Sequence, residues 1–261
     1  MNILDKIVLD KRQEVRLKKD LIPIKQLEVS VLYSRSPYSL SHNLRSSNSG
    51  IIAEHKRRSP SKSVINQSLN VWDVASGYEK AGVCGMSVLT DGKYFGGSLD
   101  DLQLARSNSK IPLLRKEFII DEYQIIEAKA FGADVILLIA TILDRSEIKK
   151  LSELAQSLNL EVLLEVHNEQ ELEKSMMPSL DMLGVNNRNL KTFEVSLETS
   201  KELSLKIPND FVKVSESGIS SVEAIKELQN CGFQGFLIGE NFMKTNDPGD
   251  SATKFIKTLE G

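Results

Sequence analysis

Glu54 and Lys56 stand two residues apart where the apolar run Gly50-Ile51-Ile52-Ala53 ends. Alternate side chains of a strand share a face, so Ile52, Glu54 and Lys56 point the same way, and Ile52 marks that way as interior. A carboxylate and an ammonium aimed inward at a strand end suit proton transfer better than packing. The arrangement recurs along the chain: Pro112-Leu113-Leu114-Arg115 leads to Lys116, Val162-Leu163-Leu164 to Glu165, Leu183-Gly184-Val185 to Asn186, and Val212-Lys213-Val214 to Ser215-Glu216-Ser217. Two ammonium groups among carboxylates can move protons in both directions, because opposite charge favours the ionised forms while burial and like charge oppose them. Structural ion pairs are the plain alternative for any one of these residues. For Glu54, Lys56, Lys116 and Glu165 together that alternative weakens, since buried charges are costly.

A second group of residues suits an anion. Glu216-Ser217-Gly218 and Ile238-Gly239-Glu240-Asn241 each follow an apolar run near the end of the chain. Glycine lets the backbone approach closely, and the N–H groups that open a helix donate to an anion, for which phosphate is the default ligand. Arg188, just past Asn186, and Ser59 and Ser61, past Lys56, add donors. Phe95, in Lys93-Tyr94-Phe95-Gly96-Gly97-Ser98, offers an aromatic face, with packing its equal alternative.

Such residues can meet only if many short strands end at one rim. Strands are expected near Ile51–Glu54, Gly85–Leu89, Pro112–Lys116, Val135–Ile139, Val162–Val166, Met182–Asn186, Phe211–Ser215 and Gly235–Ile238. Helical patterns lie between and after them, near Val71–Ala81, Leu99–Arg106, Glu122–Phe131, Asp144–Asn159, Glu169–Met176, Leu197–Leu205, Ser221–Cys231 and Asp250–Leu259. Gly82, Gly132 and Gly232 follow three of these helices, where a left-handed cap is wanted. The alternation predicts an α/β fold, a (β/α)8 TIM barrel, whose catalytic groups sit at the C-terminal strand ends. A doubly wound sheet would want a glycine-rich dinucleotide turn, and no GxGxxG occurs. The chain of 261 residues is expected to form one barrel domain over 1–261, with residues 1–49 as an N-terminal extension. Within that extension, Ile3 to Lys19 reads as an amphipathic helix and Tyr33 to Ser49 as a loop. It would either plug and brace the barrel or act as a lid over its rim.

Composition narrows the function. Net charge is −3 and the isoelectric point near 5.8, an acidic balance that argues against a nucleic-acid partner despite Lys56-Arg57-Arg58 and Lys62. Cys84 and Cys231 have no CxxC spacing and read as reduced thiols of a cytoplasmic protein. Among His42, His55 and His167 there is no metal-ligand spacing, and Glu165 with His167 is too small a set, so no metal is expected. The start Asn2-Ile3-Leu4-Asp5-Lys6 is no signal peptide, and the longest apolar run, Val135 to Leu143, is far below the ~20 residues of a membrane span. No membrane partner is expected. A monomer is, with a weak homo-oligomer as its alternative.

The chain resembles the indole-3-glycerol phosphate synthase family in IIAEHKRRSPSK (51–62), SVLTDGKYFGGS (87–98), PLLRKEFIID (112–121), GADVILLI (132–139), LLEVHNEQEL (163–172), LGVNNRNLKTFEV (183–195), VSESGI (214–219) and FLIGENFM (236–243). With ILDKIVLDKRQEV near the start, the resemblance spans essentially the whole chain. It implies closure of 1-(2-carboxyphenylamino)-1-deoxyribulose 5-phosphate to indole-3-glycerol phosphate with loss of CO2 and water, and no cofactor. By that similarity Lys116 is the general acid toward the ribulose carbonyl and Glu165 a proton-transferring carboxylate of the dehydration. Lys56 contacts the substrate carboxylate and is a candidate to share the acid work, and Glu54 and Asn186 position substrate and charges. Ser217, Gly218, Gly239 and Glu240 fall at the phosphate turns, with Glu216 opening the first. Ser59 and Arg188 lie near the substrate, and Phe95 and Leu137 along the anthranilate ring. The chain departs from the family pattern at Glu117, where Asp is usual, and at His55, Ser63 and Ser215, none of which removes a proposed acid or base. Two other readings of the residues are a Schiff-base aldolase with Lys116 or Lys56 as amine nucleophile, and a phosphate-binding barrel without turnover.

Overall fold

Each strand of the computed structural model is covered twice, by helices outside and by side chains of the other strands inside, which is why the strands read as nearly continuous apolar runs. The structure describes residues 3–60, 62–190 and 192–261. Helices α1 (Ile3–Leu21), α2 (Ile24–Glu28) and α3 (Leu40–Ser46) precede the barrel. Then come β1 (Ile51–His55), α4 (Val71–Ala81), β2 (Gly85–Leu89), a single turn α5 (Gly92–Phe95), α6 (Leu99–Asn108), β3 (Leu113–Lys116), α7 (Glu122–Ala130) and β4 (Val135–Ile139). The second half runs α8 (Arg145–Ser157), β5 (Glu161–Val166), α9 (Glu169–Ser175), β6 (Met182–Asn186), α10 (Glu198–Ser204), β7 (Val212–Glu216), α11 (Val222–Asn230), β8 (Gly235–Ile238), the short α12 (Glu240–Met243) and α13 (Pro248–Glu260).

All neighbouring strands are parallel, and β8 pairs with β1 in the register Ile51–Phe236, Ile52–Leu237 and Ala53–Ile238, so the sheet closes as a (β/α)8 barrel. Closure sorts the side chains. Ile52, Leu114, Val135, Leu137, Ile139, Leu163, Met182, Val212, Val214 and Leu237 pack together inside, while Ile51, Ala53, Met86, Val88, Ile136, Leu138, Leu164 and Phe236 pack under the helices. Counting by twos from the inner set reaches Glu54, Lys116, Glu165, Asn186 and Glu216 at the C-terminal strand ends. Side-chain caps fix where helices begin: Asp144 and Glu147 form a reciprocal capping box on α8, and Asn70, Ser98, Asp121, Asn168 and Ser221 accept N–H bonds at α4, α6, α7, α9 and α11.

The extension serves both ends of the barrel. Helix α1 crosses the C-terminal mouth, held by Lys11, whose buried ammonium lies 2.9 Å from Asp91 and 3.1 Å from Glu117. Tyr33 to Ser49 is not wholly a loop, because α3 forms within it and inserts Leu40 and Leu44 into the opposite end. Its amphipathic signal is only that one i, i+4 pair among polar residues, too weak to read without the barrel floor it covers.

Candidate functional site

The polar strand ends surround a cavity of about 400 Å³ at the C-terminal mouth. Lys116 ends β3, and its Nζ lies 3.1 Å from Glu165 Oε2 on β5 and hydrogen-bonds Glu216 Oε2 on β7. Across the cup Lys56 Nζ lies 2.6 Å from Glu54 Oε1, and Ser87 Oγ donates to Glu54 Oε2 at 3.2 Å. Asn186 hydrogen-bonds Glu165 and accepts the backbone N–H of Arg188 at 3.0 Å. Two glycines admit two of these carboxylates. A Cβ on Gly184 would stand 2.5 Å from Glu216 Oε1, and one on Gly239 would stand 2.6 Å from Glu54 Oε1, so a side chain at either position would expel the acid.

Charge pairing decides the ionisation states. Burial opposes a charge on Lys116, yet the carboxylates of Glu216, Glu165 and Glu54 outweigh it and raise its pKa well above that of an ordinary lysine. Burial also penalises Glu165, but Lys116 foremost and then His167 hold it below the usual carboxylate range. Glu54 is likewise lowered against its burial, by Lys56 and Lys116. Glu216 behaves differently: burial, helped by the neighbouring charges of Glu165 and Glu54, pushes it up to about 7 despite Lys116, and its Oε1 is buried without a hydrogen-bond partner. The cup thus holds a fully charged ammonium, two firm carboxylates and one carboxyl poised to gain or lose a proton near neutrality. An amine nucleophile needs its proton removed, and the Lys116 surroundings do the reverse, which disfavours Schiff-base chemistry there.

The residues expected to meet an anion lie along one wall. Ser217 and Gly218 both adopt left-handed backbone, at φ +69 and +80, and Asn187 Nδ2 donates to the Ser217 carbonyl at 3.2 Å. Ser217 holds that conformation without being glycine, a strain typical of a ligand turn. Gly239 precedes α12, whose opening N–H groups have no acceptor within the helix. The Glu240 side chain turns away to Lys62, 2.6 Å distant. Ser59 and Arg188 line the cavity, the Arg188 guanidinium donating to the Phe193 carbonyl at 3.1 Å. Ser61, read beside Ser59 as a donor, lies outside the described residues. Phe95 and Leu137 line the opposite, apolar wall, with the Phe95 ring centroid 5.9 Å from that of Phe118.

Sequence reading missed part of this lining. Ile3, Leu4 and Ile7 reach the cavity from α1, and Phe118, Leu190 and Phe193 from loops after β3 and β6. Glu216, which the sequence places both among the polar strand ends and at the opening of a turn, gives its carboxylate to Lys116. Its spacing of two from Val214 was the available signal. Among the described residues no three side chains of metal-ligating type are arranged to hold an ion.

Against known proteins, the family model for indole-3-glycerol phosphate synthase matches residues 4–259. A protein of that description from Bacteroides thetaiotaomicron is 48% identical over 259 residues, covering 99% of both chains. One from Aliarcobacter butzleri is 41% identical over 261 residues, covering 98% of this chain and 99% of its own. Among solved structures, 3-hexulose-6-phosphate synthase from Salmonella typhimurium superposes with a TM-score of 0.64 over 81% of this chain and 98% of its own, at 13% identity, a likeness of fold alone.

Proposed function

The chain belongs to the indole-3-glycerol phosphate synthase family, and we propose that its charged mouth performs the ring closure with Lys116 as acid and Glu165 as base. The reaction converts 1-(2-carboxyphenylamino)-1-deoxyribulose 5-phosphate to indole-3-glycerol phosphate, CO2 and water, a carboxy-lyase step of tryptophan biosynthesis. What carries the assignment of roles is one observation: a single ammonium, Lys116, lies between Glu165 and Glu216 at the centre of the cup.

Attack of the aryl carbon on the ribulose carbonyl places negative charge on the carbonyl oxygen. A fixed ammonium can protonate it with little reorganisation of its surroundings. When substrate displaces Lys116 from one of its carboxylates, the charge that holds its proton diminishes, so the same residue that is too weak an acid at rest becomes competent in the complex. Loss of CO2 then restores the aromatic ring, the cationic intermediate itself serving as electron sink. For the dehydration a base must take a proton from the ring while the hydroxyl formed from the carbonyl oxygen is protonated and leaves as water; Glu165, held ionised beside Lys116, fits the base, and the recharged Lys116 can supply the proton. Glu216, whose pKa is pushed up to about 7, is suited to return a proton to Lys116 once that residue has given its own to the carbonyl oxygen. Lys56 is placed to meet the substrate carboxylate, with Glu54 holding it, and Asn186 keeps Glu165 aimed. Ser217, Gly218, Gly239 and the Glu240 backbone would hold the phosphate with Ser59 and Arg188, leaving Phe95 and Leu137 to the anthranilate ring. We further assign the protein to the cytoplasm as a monomer, which size-exclusion chromatography checks. No helix among the described residues is long and apolar enough to cross a membrane.

The test is Lys116→Met followed by the fluorescence of indole-3-glycerol phosphate. General-acid catalysis contributes roughly 10²–10⁴-fold, so kcat is expected to fall by at least that range while substrate binding persists. Near-normal turnover would reject Lys116 as the acid.

A further inference from the structure

His167 has no role in the chemistry described so far, yet it stands directly behind the base. It follows Glu165 by two residues, and its Nε2 lies 3.5 Å from Glu165 Oε1, the oxygen turned away from Lys116. The other ring nitrogen, Nδ1, faces Glu171 Oε2 at 3.3 Å and Thr141 Oγ1 at 3.2 Å. Glu171 in turn accepts the His167 backbone N–H at 2.8 Å and the Thr141 hydroxyl at 2.9 Å, so the first turn of α9 fixes the ring. Nε2 itself is buried and makes no hydrogen bond. A buried nitrogen without a partner is destabilising unless something compensates it.

Protonation supplies the compensation. With both ring nitrogens carrying hydrogen, the ring sets a positive charge between Glu165, 3.5 Å from Nε2, and Glu171, which faces Nδ1, whereas a neutral ring would turn a lone pair toward one carboxylate or the other. The charged groups around the ring are Glu165 on β5, Glu171 on α9 and Glu216 on β7. Lys116 on β3 reaches the far oxygen of Glu165. Burial favours the neutral ring, but the hydrogen bond to Glu171 and the three carboxylates outweigh it and raise the His167 pKa.

We propose that His167 is a positioning residue that, as an imidazolium clamped by Glu171, keeps Glu165 ionised and anchors its Oε1 so that Oε2 stays turned to Lys116 and the substrate. The inference rests on the reading of Glu165 as the base. Glu165 is then held from both sides by cations, Lys116 in front and His167 behind. Substrate can draw Lys116 away without returning a proton to Glu165, because the rear cation remains.

The experiment is the pH profile of kcat/KM for His167→Gln and Glu171→Gln, together with a titration of the Glu165 carboxyl in each protein by carbon-detected NMR of side-chain-labelled glutamate. Removing a unit charge a few ångströms away is worth about one pKa unit or more. In His167→Gln the Glu165 carboxyl and the acid limb should therefore both move up by about one unit. In Glu171→Gln, which does not touch Glu165, the shift should have the same sign and be smaller. A rate lowered by the same factor at every pH, with the Glu165 titration unmoved, would reduce His167 to packing and overturn the proposal. If His167→Gln does not fold, Glu171→Gln carries the test alone, and an unmoved limb and titration there overturn it equally. Failure of the underlying reading looks different: Glu165→Gln would retain turnover, whatever the two variants behind it do.

Discussion

The two histidines that flank the site respond to pH in opposite directions, because they differ in what surrounds them. His167 is ringed by carboxylates, whereas His55, on the helix side of β1, is 1% exposed with its Nε2 unpartnered. Burial first and then the Arg57 guanidinium, itself bound to Asp101 at 2.5 Å, drive the His55 pKa from 6.5 down to about 4. An unfolded chain therefore binds a proton at this residue at a pH where the folded one does not. The contribution to stability is complete above pH ~6.5 and is lost as pH falls toward 4. By linkage the loss at pH 5 is about 2 kcal/mol. His55→Leu keeps the volume and cannot titrate. Denaturant unfolding at pH 7 and pH 5 should show the parent losing about 2 kcal/mol more than the variant between the two conditions. Equal losses in both proteins would mean that His55 is already protonated in the fold.

Among the elements, α1 does the work that strand ends cannot, because the strands supply charge and the cavity also needs an apolar wall. Ile3, Leu4 and Ile7 provide part of it, and they are held there by the buried Lys11 with Asp91 and Glu117. Glu117 follows Lys116 directly, so the anchor of the helix and the proposed acid share one stretch of β3 and its exit. Lys11→Met takes the ammonium from Asp91 and Glu117; Glu117 keeps Arg115 at 3.8 Å and the Thr90 hydroxyl at 2.8 Å, so the cost should fall at or below the lower end of the roughly 3–5 kcal/mol of a broken buried pair. Most of it should appear as undocking of α1, since the barrel strands pair without it. The expected result is a KM raised roughly tenfold, close to what partial exposure of one aliphatic side chain is worth, with faster hydrogen exchange confined to α1. An unchanged KM would show that the helix does not contribute to binding. Little of this was legible in the sequence. The periodicity of Ile3 to Lys19 disclosed a helix, but the partner of Lys11 depends on the exits of β2 and β3, some eighty and a hundred residues away. The single turn α5 went unread for a related reason, since four residues carry no periodic signal, whereas the equally short α12 is legible from Gly239-Glu240-Asn241 after the last strand. Strands were easier, because burial on both faces forces apolar runs, and Glu54, Lys116, Glu165 and Asn186 stood out as polar interruptions at the ends of those runs.

At the scale of the whole molecule the extension straddles the barrel, so stability and activity should separate by face. At the mouth, α1 adds to the site. At the floor, the Glu161 carboxylate at the start of β5 accepts from the Leu40 N–H at 2.8 Å, the Ser41 N–H at 2.9 Å and the Ser41 hydroxyl at 2.7 Å, and also from the Ser39 hydroxyl. One acid thus caps α3 and seats Leu40 and Leu44 under the inner core. Nearby Asp134 binds Arg106 at 2.8 Å and accepts the Tyr38 N–H at 2.8 Å, fastening the chain that leads into α3. A β-barrel with an open floor would expose Val135, Met182 and Val212 to water, so this face is where the fold is sealed. Glu161→Ala removes a charged acceptor and should cost ~3 kcal/mol, given about 1.5–3 kcal/mol for hydrogen bonds to a charged group. In a protein of this size that corresponds to a melting temperature lower by roughly 5–10 °C. KM and the pH profile should be unchanged, because no residue of the cavity moves. Calorimetry and steady-state kinetics on the same preparation check both halves, and a raised KM with an intact melting temperature would show that the floor and the mouth are coupled through the barrel.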